Sequence, residues 1–204
     1  MLFQAIINSP INHGSSLIRK KTVLKVGGYH NAYKIAADYD LWVTLLNQKA
    51  KIVSNAEILM AVRKHQKSVS QEYQYTTLIF EVAKIVRKHI KFLTDFDLTE
   101  KESVLLCRVH YDGGNLNFDE FSRGLDIHQK IYSLIKGRKC FNEKRSSQWL
   151  YKQQKTFFLK RIHFFMLHPN REEIRKTIRY SFQVLGFNLI FVVLLLCSFF
   201  HKAI

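Results

Sequence analysis

The chain has 204 residues, 47% of them hydrophobic, which is enough for an ordinary domain with a real core and excludes global disorder. Lysine and arginine number 32 against 16 aspartate and glutamate, a formal charge of +16. That excess calls for an anionic partner: nucleic acid, an anionic membrane surface or phosphorylated small molecules. Cys107, Cys140 and Cys197 are odd in number and widely spaced, so they fit neither a disulfide framework nor a zinc pair. They read as reduced thiols of a cytosol-facing domain. Residues 1–10 lack the basic stretch and apolar run of a signal peptide, and no export is expected.

Three textures follow in chain order. Residues 1–70 carry short apolar runs broken by turn signals such as Asn8-Ser9-Pro10, His13-Gly14-Ser15-Ser16 and Gly27-Gly28. This pattern predicts a mixed α/β region with strands near Gly14–Arg19 and Lys51–Val53. Helices are predicted over Lys21–Val26 and Asp38–Leu46, with Asp38 at an N-cap position and Leu41, Trp42, Leu45 and Leu46 on one apolar face. Residues 71–167 turn to long helices. Leu78, Val82, Ile85, Val86, Ile90 and Leu93 recur at helical spacing, and Thr99 with Glu102 forms a capping box opening a helix over Lys101–His110. Gly113-Gly114 ends it, and Phe118–Ile135 resumes the helical period.

Residues 168–204 combine a basic stretch with an apolar one. Residues 182–200 hold no charge, and Leu189–Phe200 is almost wholly apolar, so a transmembrane or membrane-inserted helix is expected there. Arg171, Arg175, Lys176 and Arg179 precede it, against His201 and Lys202 after it. The imbalance places the N-terminal part at the cytoplasmic face of an inner membrane and accounts for part of the charge through anionic lipid.

The residues able to carry chemistry lie in the first region. Asp38 and Asp40 flank Tyr39 at a helix start, where the dipole and free N–H groups favour ionised carboxylates. An ionised carboxylate in a cleft can take a proton from a hydroxyl nucleophile. Gly27-Gly28 allows a tight turn, and Arg63 with His65 offers a cation and an imidazole able to bind metal. In sequence these pieces run Asn8-Ser9-Pro10-Ile11-Asn12-His13-Gly14-Ser15-Ser16, Val26-Gly27-Gly28-Tyr29, Ala37-Asp38-Tyr39-Asp40-Leu41-Trp42 and Arg63-Lys64-His65-Gln66-Lys67-Ser68-Val69-Ser70.

In that order and spacing, over residues 8–70, they resemble the C-terminal, acceptor-side half of the catalytic domain of family-2 glycosyltransferases, inverting enzymes that use nucleotide sugars and have the GT-A fold. The resemblance implies a partial GT-A α/β domain at residues 1–70, a helical extension at 71–167 and the membrane-proximal segment at 168–204. It implies that Asp38 is the base that deprotonates the acceptor hydroxyl. His13, Gly28, Tyr29 and Asp40 would line the acceptor side, with Arg63 and His65 near the diphosphate. A divalent cation, Mn2+ or Mg2+, would neutralise the leaving diphosphate, with His65 as the candidate ligand. Ala37 stands where the family carries an acid before the base.

Plainer readings stand beside these roles. Asp38 could serve only as a helix cap, His13 as a strand histidine and His65 as a solvated loop residue. Asp40 and Trp42 read more readily as structural. Asp95-Phe96-Asp97 reads as a solvated turn before a capped helix. Because Met1 falls almost directly at the acceptor-side segment, most of the donor site is expected to be missing, the chain being a fragment, a product of a split or misassigned gene or one half of a two-chain enzyme, with weak or no activity alone. The expected partners are a nucleotide-sugar donor, a glycan or lipid-linked acceptor and a membrane, without nucleic acid. The alternative is a non-catalytic, membrane-associated remnant or interaction protein. A nucleic-acid-binding protein, suggested by the charge and by runs such as Phe157-Phe158-Leu159-Lys160-Arg161, is less favoured because no RNA-binding signature or zinc knuckle is present.

Overall fold

Where the sequence alternates Asn, Ser and Gly near its start, side chains compete with the backbone for hydrogen bonds and curl the chain. Asn12 Oδ1 accepts from Gly14 N at 3.1 Å, while Ser15 Oγ and Ser16 Oγ donate back to the carbonyls of Asn12 and His13 at 3.2 and 2.7 Å. The result is a 3-10 turn over His13–Ser15 instead of a strand. The computed structural model describes residues 4–55, 57–61, 75–112, 115–136, 138, 143–167 and 170–185. Among them there is no β-strand, so the expected α/β, GT-A-like architecture is corrected to a helical one. Backbone extended at Ser16 and Arg19 finds no ladder partner, and Lys51–Val53 is likewise unpaired.

The described helices are α1 (Lys20–Lys25), α2 (Ala37–Asn47), α3 (Tyr75–Thr94), α4 (Glu100–Asp112), α5 (Phe118–Lys136), α6 (Glu143–Leu167) and α7 (Arg171–Leu185). They fall into two compact units, Met1–Cys107 and Arg108–Ile204. In the first, α3 packs on α2 and on the short 3-10 turn Gln4–Ile6. Val82, Ile85, Val86, Ile90 and Leu93 are buried at the helical period read in the sequence, while at the start of α3 Ile79 is buried and Leu78 only partly so. Tyr39 of α2 reaches the same turn, its hydroxyl donating to Ala5 O at 2.7 Å. On another side of α2, Leu41, Trp42 and Leu45 pack against Ile11, Ile18, Val23, Val26 and Ala50. The capping box forms: Thr99 N donates to Glu102 Oε2 at 2.8 Å and Glu102 N to Thr99 Oγ1 at 3.2 Å. Asp97 pairs with Arg87 and Lys91 on the surface, as a solvated turn should.

In the second unit α6 packs on α5 and α7, and α5 on α7. α7 is amphipathic, with Thr177, Ser181 and Leu185 buried and Arg171, Glu172, Arg175, Lys176 and Arg179 exposed. Residues 182–185, read as the start of an apolar span, form its last turn. Residues 186–200 of that expected span lie outside the described residues. Among the described residues no helix is long and apolar enough to cross a membrane, the short ones failing on length and the long ones carrying several charges. The expected C-terminal transmembrane element is corrected accordingly.

Candidate functional site

The site is built around the start of α2, a helix whose own sequence supplies no cap. Its N-cap residue is Ala36, which has no side chain to accept a first-turn N–H. α3 supplies an acceptor not for that turn but for the three residues in front of it. Glu81, only 8% exposed, accepts from Lys34 N at 2.8 Å, Ile35 N at 2.9 Å and Ala36 N at 2.9 Å. Burial pushes this carboxyl upward, but the three backbone donors outweigh it and hold it below the usual carboxylate range. Sequence periodicity alone gives no sign of Glu81, which sits on the buried side of an apolar stripe 45 residues beyond its target. An acid interrupting the buried face of an amphipathic helix is the signal that could have found it.

The two carboxylates of Asp38-Tyr39-Asp40 meet different fates. Asp40 is 1% exposed, its Oδ2 held by His30 Nδ1 and its Oδ1 by Lys88 Nζ at 3.1 Å. Lys88 also donates to Thr44 Oγ1 at 3.1 Å, so it ties α3 to α2 through both groups. Asp38 lies in the first helical turn, half-buried, with its Oδ1 accepting from Tyr39 N at 2.7 Å. It is not the N-cap residue, and among the described residues no cation pairs with it. Tyr33, in the loop before α2, has its phenol pushed up by burial, then by the charges of Asp40 and Glu81.

His13 and Tyr29 come together, their rings edge-to-face at 5.7 Å, and His13 also leans on Trp42 at 6.0 Å. Gly28 stands between these aromatics and α1. Gly27 (φ +89°) and Gly28 (φ +75°) take the left-handed backbone that ends α1, with Gly28 N donating to Val23 O at 3.0 Å. An added Cβ at Gly28 meets nothing within 4 Å, so substitution costs backbone strain alone. Gly28→Ala is expected to lose about 1–2 kcal/mol in urea unfolding, and Gly28→Asn distinctly less. Equal losses would mean that left-handed geometry is not what the position requires.

A groove of about 750 Å3 opens beside this cluster, lined by residues 10–12 and 15–19, by 50–55 and 57–60, and by Thr22, Trp42 and Leu45. Trp42 joins it to the aromatic cluster, whereas Asp38 and Asp40 do not line it. Arg63 and His65 lie outside the described residues. Among the described residues there is no cluster of three or more His, Cys, Asp or Glu side chains able to hold a metal ion. Cys107 is buried, and burial pushes its thiol up and out of the reactive range. Comparison with protein-family models, with curated proteins and with solved structures returned no match for this chain.

Proposed function

We propose that this chain contributes the acceptor-side part of an inverting glycosyltransferase. It would move a sugar from a nucleotide-diphosphate donor to a hydroxyl of a glycan or lipid-linked acceptor, in cell-envelope polysaccharide or glycolipid synthesis at the cytoplasmic face of a membrane. The observation that carries the reading is the division of labour between Asp38 and Asp40. Asp40 is buried in an ion-paired network that fastens α2 to α3. Asp38 keeps one oxygen clear of backbone donors and has no cation beside it among the described residues. That is the state required of a proton acceptor.

In the step, the acceptor O–H proton passes to Asp38 while its oxygen bonds to the anomeric carbon. The bond from that carbon to the diphosphate oxygen breaks on the opposite face, which inverts the configuration. The exposed rings of His13 and Tyr29, with the buried Trp42 behind His13, offer a face and edge against which a sugar can rest. The ordered motifs over residues 8–42 are the other support.

The test is sugar transfer from labelled UDP-, GDP- and dTDP-sugars, with manganese, by membranes from cells expressing the chain. Asp38→Asn is expected to lower turnover at least about a hundredfold. Equal turnover by both forms, or none from the wild type with any donor, would overturn the proposal in favour of a non-catalytic interaction protein.

A further inference from the structure

We infer that Glu81 is a positioning residue for Asp38, an inference that rests on the glycosyltransferase reading above. The loop before α2 must hand Asp38 to its substrate at a fixed height and angle, yet its own residues supply no cap. Two oxygens of one buried carboxylate instead take three consecutive N–H groups, from Lys34, Ile35 and Ala36. Three donors converging on one anion fix three successive peptide planes, and Asp38 follows the last of them by two residues. The bonds are charge-assisted, which makes them stiff and leaves no neutral side chain equivalent to Glu81.

A glutamine illustrates why. One of its two terminal atoms is an NH2 donor, and it would face backbone N–H groups that are donors too. At least one of the three N–H groups, which lie in part-buried to buried positions, is then left without its acceptor, and the loop moves to find water. Because α2 starts at Ala37, a shift of the loop becomes a shift of Asp38. The rigid partner is α3, whose flanking Val82 and Ile85 are buried, so the anchor itself has little freedom. α3 thereby belongs to the machinery of the site although none of its residues faces the acceptor in the proposed step.

The test uses the full chain as wild type, Glu81→Gln, Glu81→Asp and Asp38→Asn/Glu81→Gln. The first readout is the carboxyl-carbon NMR signal of Asp38 with the amide signals of Lys34, Ile35 and Ala36. Glu81→Gln is expected to move all four, and Glu81→Asp to move them less, since it keeps both anionic oxygens. The second readout is transfer with whichever of UDP-glucose, GDP-mannose and dTDP-rhamnose supports turnover. Glu81→Gln should lower kcat about tenfold or more with donor KM nearly unchanged, and should add nothing once Asp38 is already asparagine. If the three amides move while the Asp38 carbon stays put, or if Glu81→Gln slows the Asp38→Asn form as much as the wild type, Glu81 is only a cap and the inference falls. Should Glu81→Gln fail to fold, Glu81→Asp decides by the same signals. Absence of turnover in the wild type would overturn the glycosyltransferase reading alone, because the NMR comparison still decides whether Glu81 positions Asp38.

Discussion

Replacing Arg161 with methionine is expected to destabilise the second unit by about 2–4 kcal/mol, the cost of leaving two buried acceptors without their donor and a partly exposed carboxylate without its cation. Arg161 is fully buried. Its Nε donates to Thr177 Oγ1 at 2.9 Å, Nη1 to Leu116 O at 2.5 Å and Nη2 to Glu173 Oε2 at 2.6 Å. Its guanidinium carbon lies 4.7 Å from the centre of the Phe121 ring. One planar side chain therefore joins α6, α7, α5 and the loop before α5. Burial lowers the affinity of the guanidinium for its proton, and Glu173 opposes that. Methionine fills most of the volume but orphans a carboxylate, a hydroxyl and a carbonyl at once. Lysine keeps the charge and still fails, because a single ammonium cannot point three ways in the plane that the partners define. Chemical unfolding of the full chain checks both. Arg161→Met/Glu173→Gln should lose less than the sum of its two single variants, since they share a partner. Additive losses, or a change below about 1 kcal/mol for Arg161→Met, would remove Arg161 from this role.

The second large effect is a loss of stability in mild acid, centred on two imidazoles in the same unit. His128 is buried, stacked on Trp149 at 5.7 Å and edge-on to Phe157 at 5.5 Å, with neither ring nitrogen hydrogen-bonded. His110 stands edge-on to Phe157 from another side at 5.7 Å, and its Nδ1 also lacks a partner. Burial, then the neighbouring His110, lowers His128 from 6.5 to about 4, while burial, then Lys160, does the same for His110. The unfolded chain therefore takes up these protons as pH falls below about 6.5, and the folded chain only near 4. Across that window the unfolded state binds more protons, so stability falls with falling pH. The contribution is fully present above 6.5 and is lost on the way down to 4. Each group accounts for on the order of 3 kcal/mol. His128→Phe keeps the aromatic packing and removes two unbonded nitrogens. It should flatten about half of the decline between pH 6.5 and 4 and leave stability above 6.5 equal or higher. An unchanged slope in the variant would show that His128 is not the group that titrates.

Helical periodicity made α3, α4 and α5 legible, because an apolar stripe at three- and four-residue spacing and a Thr99–Glu102 box are local signals that tertiary packing merely accepts. The same local reading misjudged residues 14–19. A short apolar run after turn residues resembles a strand, but Asn12, Ser15 and Ser16 satisfy nearby backbone groups first, and no strand lies beside them among the described residues. In Phe157-Phe158-Leu159-Lys160-Arg161 aromatic and basic residues are interleaved, with no local cue to which side of the helix is covered. Phe157, Phe158 and Arg161 in fact point inward, since α6 is covered by α5 and α7.

At the candidate site, residue order alone singled out Asp38 and Asp40 and placed both at a helix start. That much is chemistry written into adjacent positions. Which of the two is free was decided by α3, whose Lys88 joins His30 in holding Asp40 and whose Glu81 holds the loop in front of both. Those contacts span more than forty residues, and no local propensity encodes them. They arise because packing the apolar stripe of α3 on α2 carries Glu81 and Lys88 to the end and flank of α2, where a buried carboxylate and unpaired N–H groups each lower the cost of burying the other.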